Sequence, residues 1–285
     1  MTGRDLRDVA THFRFGENWA NYATRIDEVT VARACGALKR LCGHGDLSGL
    51  TFLDIGSGSG LHSVAALKMG AGQVVAIDID AHCVTTTENT LRRFAPPGSS
   101  YKVMQCSVFD MAGKDSNLYD IVYSWGVLHH TGSMIEAIRL SAEKVRPGGQ
   151  ICVALYAKTR LCRFWKWEKR LYSSASPTFQ AWARHTYLVW LRALSFAAHA
   201  RRGQWFSLNA HIENYDRERG MNFWNNVHDW LGGYPYESIE PDDAKALMER
   251  LGFMEVRRFL VPGRRWGLLG SGCDEYSFVR RAINS

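Results

Sequence analysis

The chain has 285 residues, of which 46% are hydrophobic, so it can bury one large core and falls within the size range of single α/β domains. Its seven cysteines are odd in number and never spaced C-x-x-C, which argues against a disulfide framework or a zinc site and favours a reducing, cytoplasmic location. No segment reaches the roughly 18 uncharged apolar residues that a membrane span needs, and the first residues show no apolar run, so neither a span nor a signal peptide is expected.

The hydrophobic pattern predicts an amphipathic helix over residues 24–42, ended by Gly43 and Gly45, and then strands alternating with helices. Such alternation is typical of a parallel, doubly wound sheet. The predicted strands cover residues 50–55, 73–77, 101–106, 119–123 and 150–156, and the intervening helices cover residues 61–69, 81–94 and 133–145, the last closed by Pro147, Gly148 and Gly149.

The alternation stops after residue 157, and the following segment predicts a mostly helical insertion. The pattern resumes with a helix at residues 241–251, capped by Gly252, and strands at 253–261 and 274–280. We therefore predict one α/β fold with a seven-stranded, doubly wound, Rossmann-like sheet and a helical insertion.

The formal net charge of +7 is concentrated in the insertion, because residues 158–202 carry ten Lys or Arg against the single acid Glu168. This composition fits an anionic partner such as nucleic acid, a membrane surface or an acidic substrate. A solvated helical face over an aromatic core is the simpler interpretation, since the aromatic residues fall near helical spacing. The tryptophans among these cations are Trp165, Trp167, Trp182, Trp190 and Trp205.

The turn after the first predicted strand carries glycines at 56, 58 and 60, which let the backbone turn tightly and approach a ligand. The next helix offers free N–H groups to a carboxylate. Asp54 precedes the turn, and Asp78 ends the second strand 22 residues after Gly56, where a carboxylate can accept both hydroxyls of a ribose. A nicotinamide-dependent dehydrogenase is disfavoured, because dinucleotide binding requires G-x-G-x-x-G.

The ordered motifs between residues 52 and 156 resemble those of the class I S-adenosylmethionine-dependent methyltransferases. More narrowly, the chain is similar to the methyltransferases grouped with the ubiquinone-biosynthesis O-methylases, through HFRFGENWANYATRID before the fold and RGMNFWNNVHDWLGGYPYE after the insertion. The core motifs are FLDIGSGSGLHS, VVAIDID, CSVFD, YDIVYSWGVLHH and VRPGGQICV.

The resemblance implies S-adenosylmethionine as the cofactor, with no metal. Many relatives have an acid where Ser107 stands, which leaves the contact with the adenine amine open. The implied cofactor contacts are Asp54, Gly56, Ser57, Gly58 and Gly60 for the methionine part, Asp78 for the ribose, Ser107, Val108 and Phe109 for the adenine, and Ile79, Trp125 and Trp19 beside them.

Three histidines are candidate bases for deprotonating an acceptor hydroxyl before in-line methyl transfer. His129 and His130 follow the fourth strand, and the alternative is that they only shape this loop through backbone hydrogen bonds. His228 lies beside Asp229 in a polar, aromatic stretch that fits either an acceptor pocket or the end of a helix.

We expect four parts: an N-terminal helical lid (1–46), a cofactor-binding core (47–157), an acceptor cap (158–238) and the C-terminal part of the core sheet (239–285). Aromatic residues near the N-terminus form either a lid over the cofactor or a staple for the first helix. The predicted function is methylation of a small molecule, on a hydroxyl oxygen of a phenol, quinol or sugar-type metabolite. The alternatives are an RNA methyltransferase that docks through the basic insertion and a non-catalytic cofactor-binding subunit. Peripheral membrane contact and the oligomeric state are left open.

Overall fold

A computed structural model describes residues 6, 13, 15–201, 203, 205, 207, 210, 212, 223–261 and 266–282. Its centre is a seven-stranded sheet with the order β3-β2-β1-β4-β5-β7-β6, in which β1 to β5 are parallel. The strands are β1 (Thr51–Ile55), β2 (Gln73–Asp78), β3 (Tyr101–Gln105), β4 (Tyr119–Trp125), β5 (Val145–Tyr156), β6 (Phe253–Phe259) and β7 (Cys273–Arg280).

Helices cover both faces of this sheet, as the alternating pattern predicted. Those before the insertion are α1 (Phe15–Ala23), α2 (Glu28–Cys42), α3 (Leu61–Lys68), α4 (Ala81–Phe94), the short α5 (Met111–Lys114) and α6 (Met134–Glu143). Those within and after it are α7 (Cys162–Ser174), α8 (Pro177–Ala200), α9 (Phe223–Gly232) and α10 (Pro241–Arg250).

Alternate side chains of each buried strand enter opposite halves of the core. In β1, Leu53 and Ile55 join the cluster that packs beneath α6 and α10, whereas Phe52 joins the cluster beneath α2, α3 and α4. A strand covered on both faces can be apolar along its whole length. This explains why the first strand could be recognised in the sequence as a short apolar run.

Helix α2 is shorter than the predicted helix over residues 24–42. It begins at Glu28 because the side chain of Asp27 accepts a hydrogen bond from the backbone N–H of Thr30 at 2.7 Å, which caps the helix. Its end agrees with the prediction. Gly43 has a φ of 76° and donates its N–H to the carbonyl of Lys39, as a left-handed C-cap requires.

Two features of the sheet differ from the prediction. Residues 145–149 belong to β5 and do not close the preceding helix, because Tyr119 of β4 pairs with Val145 and extends the strand. Strand β7 runs antiparallel to both β5 and β6. A parallel crossover usually carries a helix, and the described residues between β6 and β7 form none, which is consistent with antiparallel pairing.

The insertion builds a third apolar cluster above the end of β5. Tyr156, Trp165, Tyr172 and Trp230 pack together there with Phe13. A parallel bridge between Ala157 and Ile239 joins the two ends of the insertion, and the predicted boundaries at 158 and 238 fall beside it. None of the helices in the described part of the chain is long and apolar enough to cross a bilayer.

Candidate functional site

The turn after β1 places backbone at the carboxyl edge of the sheet with no side chain in the way. Gly56 has a φ of 76°, and a Cβ there would lie 2.4 Å from Val127. Gly58 has a φ of 54°, and a Cβ there would lie 3.3 Å from the Trp19 ring. Both positions therefore require glycine, through backbone conformation and through space. Helix α3 starts three residues after Gly58 without a side-chain cap, which leaves N–H groups at its N-terminus for an anion.

Asp54 supports this turn from below. It is almost fully buried, and its Oδ2 accepts a hydrogen bond from the Ser63 hydroxyl at 2.6 Å. Burial raises the pKa of Asp54 to about 7, against the lowering by that hydrogen bond. Asp54 and Gly60 do not line the neighbouring cavity, whereas the other ten predicted cofactor contacts do. The structure thus gives Asp54 a hydrogen bond to the first turn of α3 and no place on the cavity wall.

Asp78 lies at the end of β2 and faces the same cavity. Its Oδ2 accepts the N–H of Gly58 at 2.9 Å and its Oδ1 accepts the N–H of Asp80 at 3.0 Å. Burial raises the pKa of Asp78 to about 6, so the carboxylate is ionised at neutral pH. Backbone N–H groups use two of its lone-pair positions and the Cys83 side chain also hydrogen-bonds to it, so that only the remaining acceptor capacity is open to a ligand.

The remaining wall of this part of the cavity comes from the ends of β3 and β4. Ser107 accepts a hydrogen bond from the N–H of Phe109 at 3.3 Å, which fixes the predicted adenine loop, and Val108 lies between them. Trp125 donates its Nε1–H to Glu275 at 2.8 Å. Glu275 also lines the cavity, near whose rim the family resemblance had placed it.

His62 is a cavity residue that the sequence analysis missed. It lies on α3 with its ring 5.0 Å from that of Tyr123, and burial lowers its pKa to about 4. Its place in the motif GLHS, two residues after Gly60, was the signal available in the sequence.

Helix α1 covers the glycine turn, in the place predicted for a lid. The N–H of Gly16 donates to Asp80 Oδ2 at 3.1 Å, and Trp19 lies directly over Gly58. Ahead of α1, Phe13 donates its N–H to the carbonyl of Tyr234. The N-terminal segment therefore contacts both the core and the insertion, as a cover over the cavity between them.

The cavity itself has a volume of about 1530 Å³ and extends from the glycine turn to the insertion. A pocket for one drug-sized ligand occupies roughly 300–1,000 Å³, so the cavity has room for two ligands side by side. At the insertion end its wall is mainly apolar and aromatic. That wall includes Phe13, Tyr187, Leu191, Phe223 and Trp230.

The two adjacent histidines lie between these ends of the cavity, with opposite tautomers. Nδ1 of His129 accepts the N–H of Tyr156 at 3.3 Å, so its proton is on Nε2 and the ring presents a donor. Nδ1 of His130 lies 2.8 Å from the carbonyl of Pro235 and must donate, which makes Nε2 its basic nitrogen. Burial, with the charge of Lys169, holds the pKa of His129 well below its usual range.

His228 occupies a different position. Its Nδ1 lies 2.7 Å from the Tyr172 hydroxyl and 3.2 Å from Nη1 of Arg184, and its ring packs against Phe13. Burial and the Arg184 charge lower its pKa. It is not among the described residues that line the cavity. These contacts join α7, α8 and α9, so the geometry gives His228 a packing role, and its predicted catalytic role gains no support.

Three buried polar atoms near the cavity have no hydrogen-bond partner in the described part of the chain. They are Nε2 of His129, Oδ1 of Asp229 and Nε1 of Trp230, and all three residues line the cavity. Burial raises the pKa of Asp229 to about 8, so it holds a proton at neutral pH. Unpaired buried groups are uncommon in proteins, and a bound ligand is one way to satisfy them.

Comparison with known proteins identifies the family. A family model described as a methyltransferase domain matches residues 27–226, which is most of the chain. The chain belongs to this methyltransferase family. Its fold is that of the class I S-adenosylmethionine-dependent methyltransferases, and S-adenosylmethionine is the cofactor of this family.

The individual similarities to this methyltransferase are partial or distant. Magnesium protoporphyrin IX methyltransferase from Synechocystis PCC 6803, solved with bound S-adenosylmethionine, superposes with a TM-score of 0.56 and 13% identity over 98% of this chain and 99% of that one. Ribosomal protein L11 methyltransferase from Aliivibrio salmonicida is 30% identical over 109 residues, 38% of this chain and 34% of its own. A tRNA U34 carboxymethyltransferase from Shewanella putrefaciens is 31% identical over 105 residues, 37% and 31% of the two chains. The chain therefore matches about a third of the length of these curated relatives.

The residues present fit S-adenosylmethionine. The glycine turn leaves room for close backbone approach, the start of α3 offers N–H groups for the carboxylate, and Asp78 offers acceptors for the ribose. The part of the cavity wall between Asp78 and the ring of Phe109 is available to the adenine. These positions agree with those that the sequence motifs implied, and the individual roles stay predictions.

Proposed function

We propose that this methyltransferase transfers a methyl group from S-adenosylmethionine to a hydroxyl oxygen of a largely apolar small molecule. The observation that carries the proposal is the single cavity that joins the glycine turn to the aromatic wall of the insertion. It has the volume for cofactor and acceptor together, and an aromatic or prenyl-like acceptor matches its apolar end.

When bound, S-adenosylmethionine supplies a methyl group activated by a positively charged sulfur. The task of the protein is then to align the acceptor oxygen, exclude water and remove the hydroxyl proton. As the O–CH₃ bond forms and the S–CH₃ bond breaks, the hydroxyl proton passes to a base. Of the three predicted histidines, we assign this task to His130, because its Nδ1–H is fixed by the Pro235 carbonyl and its Nε2 is the basic nitrogen.

We assign binding of the acceptor hydroxyl to the unpaired groups beside His130. His129 Nε2–H and Trp230 Nε1–H are donors, and protonated Asp229 can donate or accept. Contacts between aromatic rings keep these groups in place, since the Tyr156 ring lies 3.8 Å from that of His129 in a tilted arrangement and 5.3 Å from that of Trp230 edge to face. A hydroxyl on the acceptor would form hydrogen bonds with these groups, whose burial without a partner costs free energy. The site therefore favours acceptors that have a polar atom at one end.

The test is transfer of radiolabelled methyl from S-adenosylmethionine to three separate classes of acceptor: apolar phenols and quinols, total RNA, and ribosomal protein. Labelling of a phenol or quinol, together with release of S-adenosylhomocysteine, supports the proposal. Labelling of RNA or protein alone would overturn the assignment of the acceptor.

A matched pair of variants tests the base. His130→Gln is expected to lower kcat by about 10²- to 10⁴-fold and leave cofactor affinity unchanged. His228→Gln is the control, because His228 does not line the cavity. Equal losses of kcat in the two variants, with equal unfolding temperatures, would contradict the assignment of His130.

A further inference from the structure

The outward face of α8 is an exposed apolar stripe on a long helix. Among its 24 residues, only Leu191 is buried. Trp182, Val189 and Phe196 follow one another at intervals of seven residues, so they lie on one face, and Phe179 begins the same stripe. Trp182 is 61% exposed, although burying a tryptophan side chain away from water is energetically favourable.

Helix α7 repeats this arrangement with charge beside it. Phe164, Trp167 and Leu171 are exposed at spacings of three and four residues, and Trp167 is 60% exposed. One position earlier in each case stands an exposed cation, which gives a basic stripe alongside the apolar one. These cations are Arg163, Lys166 and Arg170.

The basic residues of this region mostly face outward. Lys169 is buried against Trp230, and Arg184 is bound to Tyr172 and His228, so these two are used inside the insertion. Glu168 is the single acid between residues 158 and 202. The exposed cations of the segment that do not line the cavity are Lys158, Arg160, Arg163, Lys166, Arg170 and Arg192.

We propose that the outer face of α7 and α8 docks on the surface of an anionic phospholipid bilayer. Amphipathic helices with aromatic and aliphatic side chains on one face and Lys or Arg beside them lie in the plane of such a surface. The cations complement lipid phosphates, and the apolar stripes fit the boundary between headgroups and acyl chains. This surface binding requires no membrane span.

Two other occupants fit the face less well. RNA would use the cations and the aromatic rings, but Leu171 and Val189 offer neither base stacking nor hydrogen bonds. A second copy of this chain in a symmetric dimer would bring two faces with the same excess of positive charge together, because an isologous interface pairs one surface patch with itself. An anionic bilayer is the partner that accounts for the aliphatic, aromatic and cationic residues together.

The inner face of α8 gives this docking a consequence for the cavity. Tyr187, Leu191 and Leu194 line the cavity from α8, so a bilayer on the outer face lies one helix away from it. A membrane-dissolved apolar acceptor would then have a short path to the site. This consequence rests on the proposed function, whereas the docking itself does not.

Co-sedimentation with phosphatidylcholine vesicles, prepared with and without phosphatidylglycerol, tests the docking. We expect binding only to the vesicles that contain phosphatidylglycerol, with weaker binding as salt increases. The double variant Arg163→Gln, Arg170→Gln should bind about 25-fold more weakly, at about five-fold for each charge. Its control is Arg92→Gln, Arg93→Gln, which removes two exposed charges from α4 and should leave binding unchanged.

A second pair of variants tests the apolar stripes. Trp167→Ser, Trp182→Ser should reduce vesicle binding by about 100-fold. Leu118→Ser, Met254→Ser is the control, since both residues are exposed and lie outside the insertion. All four side chains are exposed, so the unfolding temperatures should stay close to that of the wild type.

Several results would overturn the proposal. One is equal binding to both vesicle types, or binding to neither. Another is that the wild type binds a poly-uridine oligonucleotide but no vesicles, and that the same variants abolish the binding of the oligonucleotide. A third is self-association that the tryptophan variant removes, again without vesicle binding. Because vesicle binding is measured without turnover, its failure is distinguishable from failure to methylate a small molecule.

Discussion

Replacing Asp78 with alanine is expected to weaken binding of S-adenosylmethionine by about 5- to 150-fold, equivalent to about 1–3 kcal/mol. The carboxylate is 8% exposed and already accepts the N–H groups of Gly58 and Asp80. Its remaining acceptor capacity, beyond a hydrogen bond with the Cys83 side chain, is assigned to the ribose hydroxyls. A hydrogen bond to a charged acceptor contributes more binding free energy than one between neutral groups. Water makes the same hydrogen bonds to the carboxylate in the free protein, so the net loss of binding free energy stays in this range.

The pH dependence of binding provides an independent check on Asp78. Burial raises its pKa to about 6, so below that pH the carboxylate takes up a proton and loses acceptor capacity. Affinity of the wild type should therefore fall as pH decreases through about 6, approaching tenfold per pH unit, and be fully present well above it. The alanine variant should lack this dependence.

Calorimetric titration at about pH 8 and about pH 5 measures both effects. Asp243→Ala on α10 is the control, because it removes an exposed carboxylate outside the cavity. Thermal unfolding of the Asp78 variant verifies that loss of the two backbone contacts has not unfolded the protein. Unchanged affinity in a folded Asp78→Ala variant would refute the assignment of the ribose site.

Three further outcomes follow from single residues. Burial raises the pKa of Asp229 from 3.8 to about 8, so between these values the folded state keeps a proton that the unfolded chain releases. The unfolding free energy should therefore fall with increasing pH, by up to about 1.4 kcal/mol per pH unit between about pH 4 and 8. Asp229→Asn should remove this slope in denaturant titrations, and identical slopes would contradict the burial argument. Gly56→Ala should lower stability by about 1–3 kcal/mol more than Gly98→Ala, because both glycines have positive φ but only a Cβ at 56 meets Val127. Trp19→Ala should weaken cofactor binding by about tenfold and speed its dissociation in stopped-flow measurements; an unchanged dissociation rate would argue against a lid.

Local signals in the sequence determined the fold class and predicted the residues at the cofactor end of the site. These signals are the apolar strands, the glycines at 56, 58 and 60, and the acid at 78. Each depends on local backbone conformation or on its position at the end of a strand, and both are encoded by residues close together in the sequence. Helix ends marked by Gly43 and Gly252 were also predictable, because a left-handed cap is a local requirement.

Other features depended on residues far apart in the chain. The antiparallel direction of β7 is decided by its pairing with β5, and the extension of β5 to Val145 by its pairing with β4. The sequence offered no signal for the partner of Glu275, since the Trp125 ring that it binds lies 150 residues away. Pairings of this kind are tertiary contacts that propensity cannot report.

The roles of the histidines show the same division. The sequence placed His129 and His130 at the end of a strand, but their opposite tautomers come from the backbone of Tyr156 and the carbonyl of Pro235. His228 resembled a pocket residue by composition, and its hydrogen bonds to Tyr172 and Arg184 draw it into the insertion. The sequence thus determined which chemical groups the chain carries. The tertiary structure decided which of these groups face the cavity and which nitrogen of each histidine carries the proton. Burial and hydrogen-bond partners exist only once distant segments are packed together, so the sequence alone could not report them.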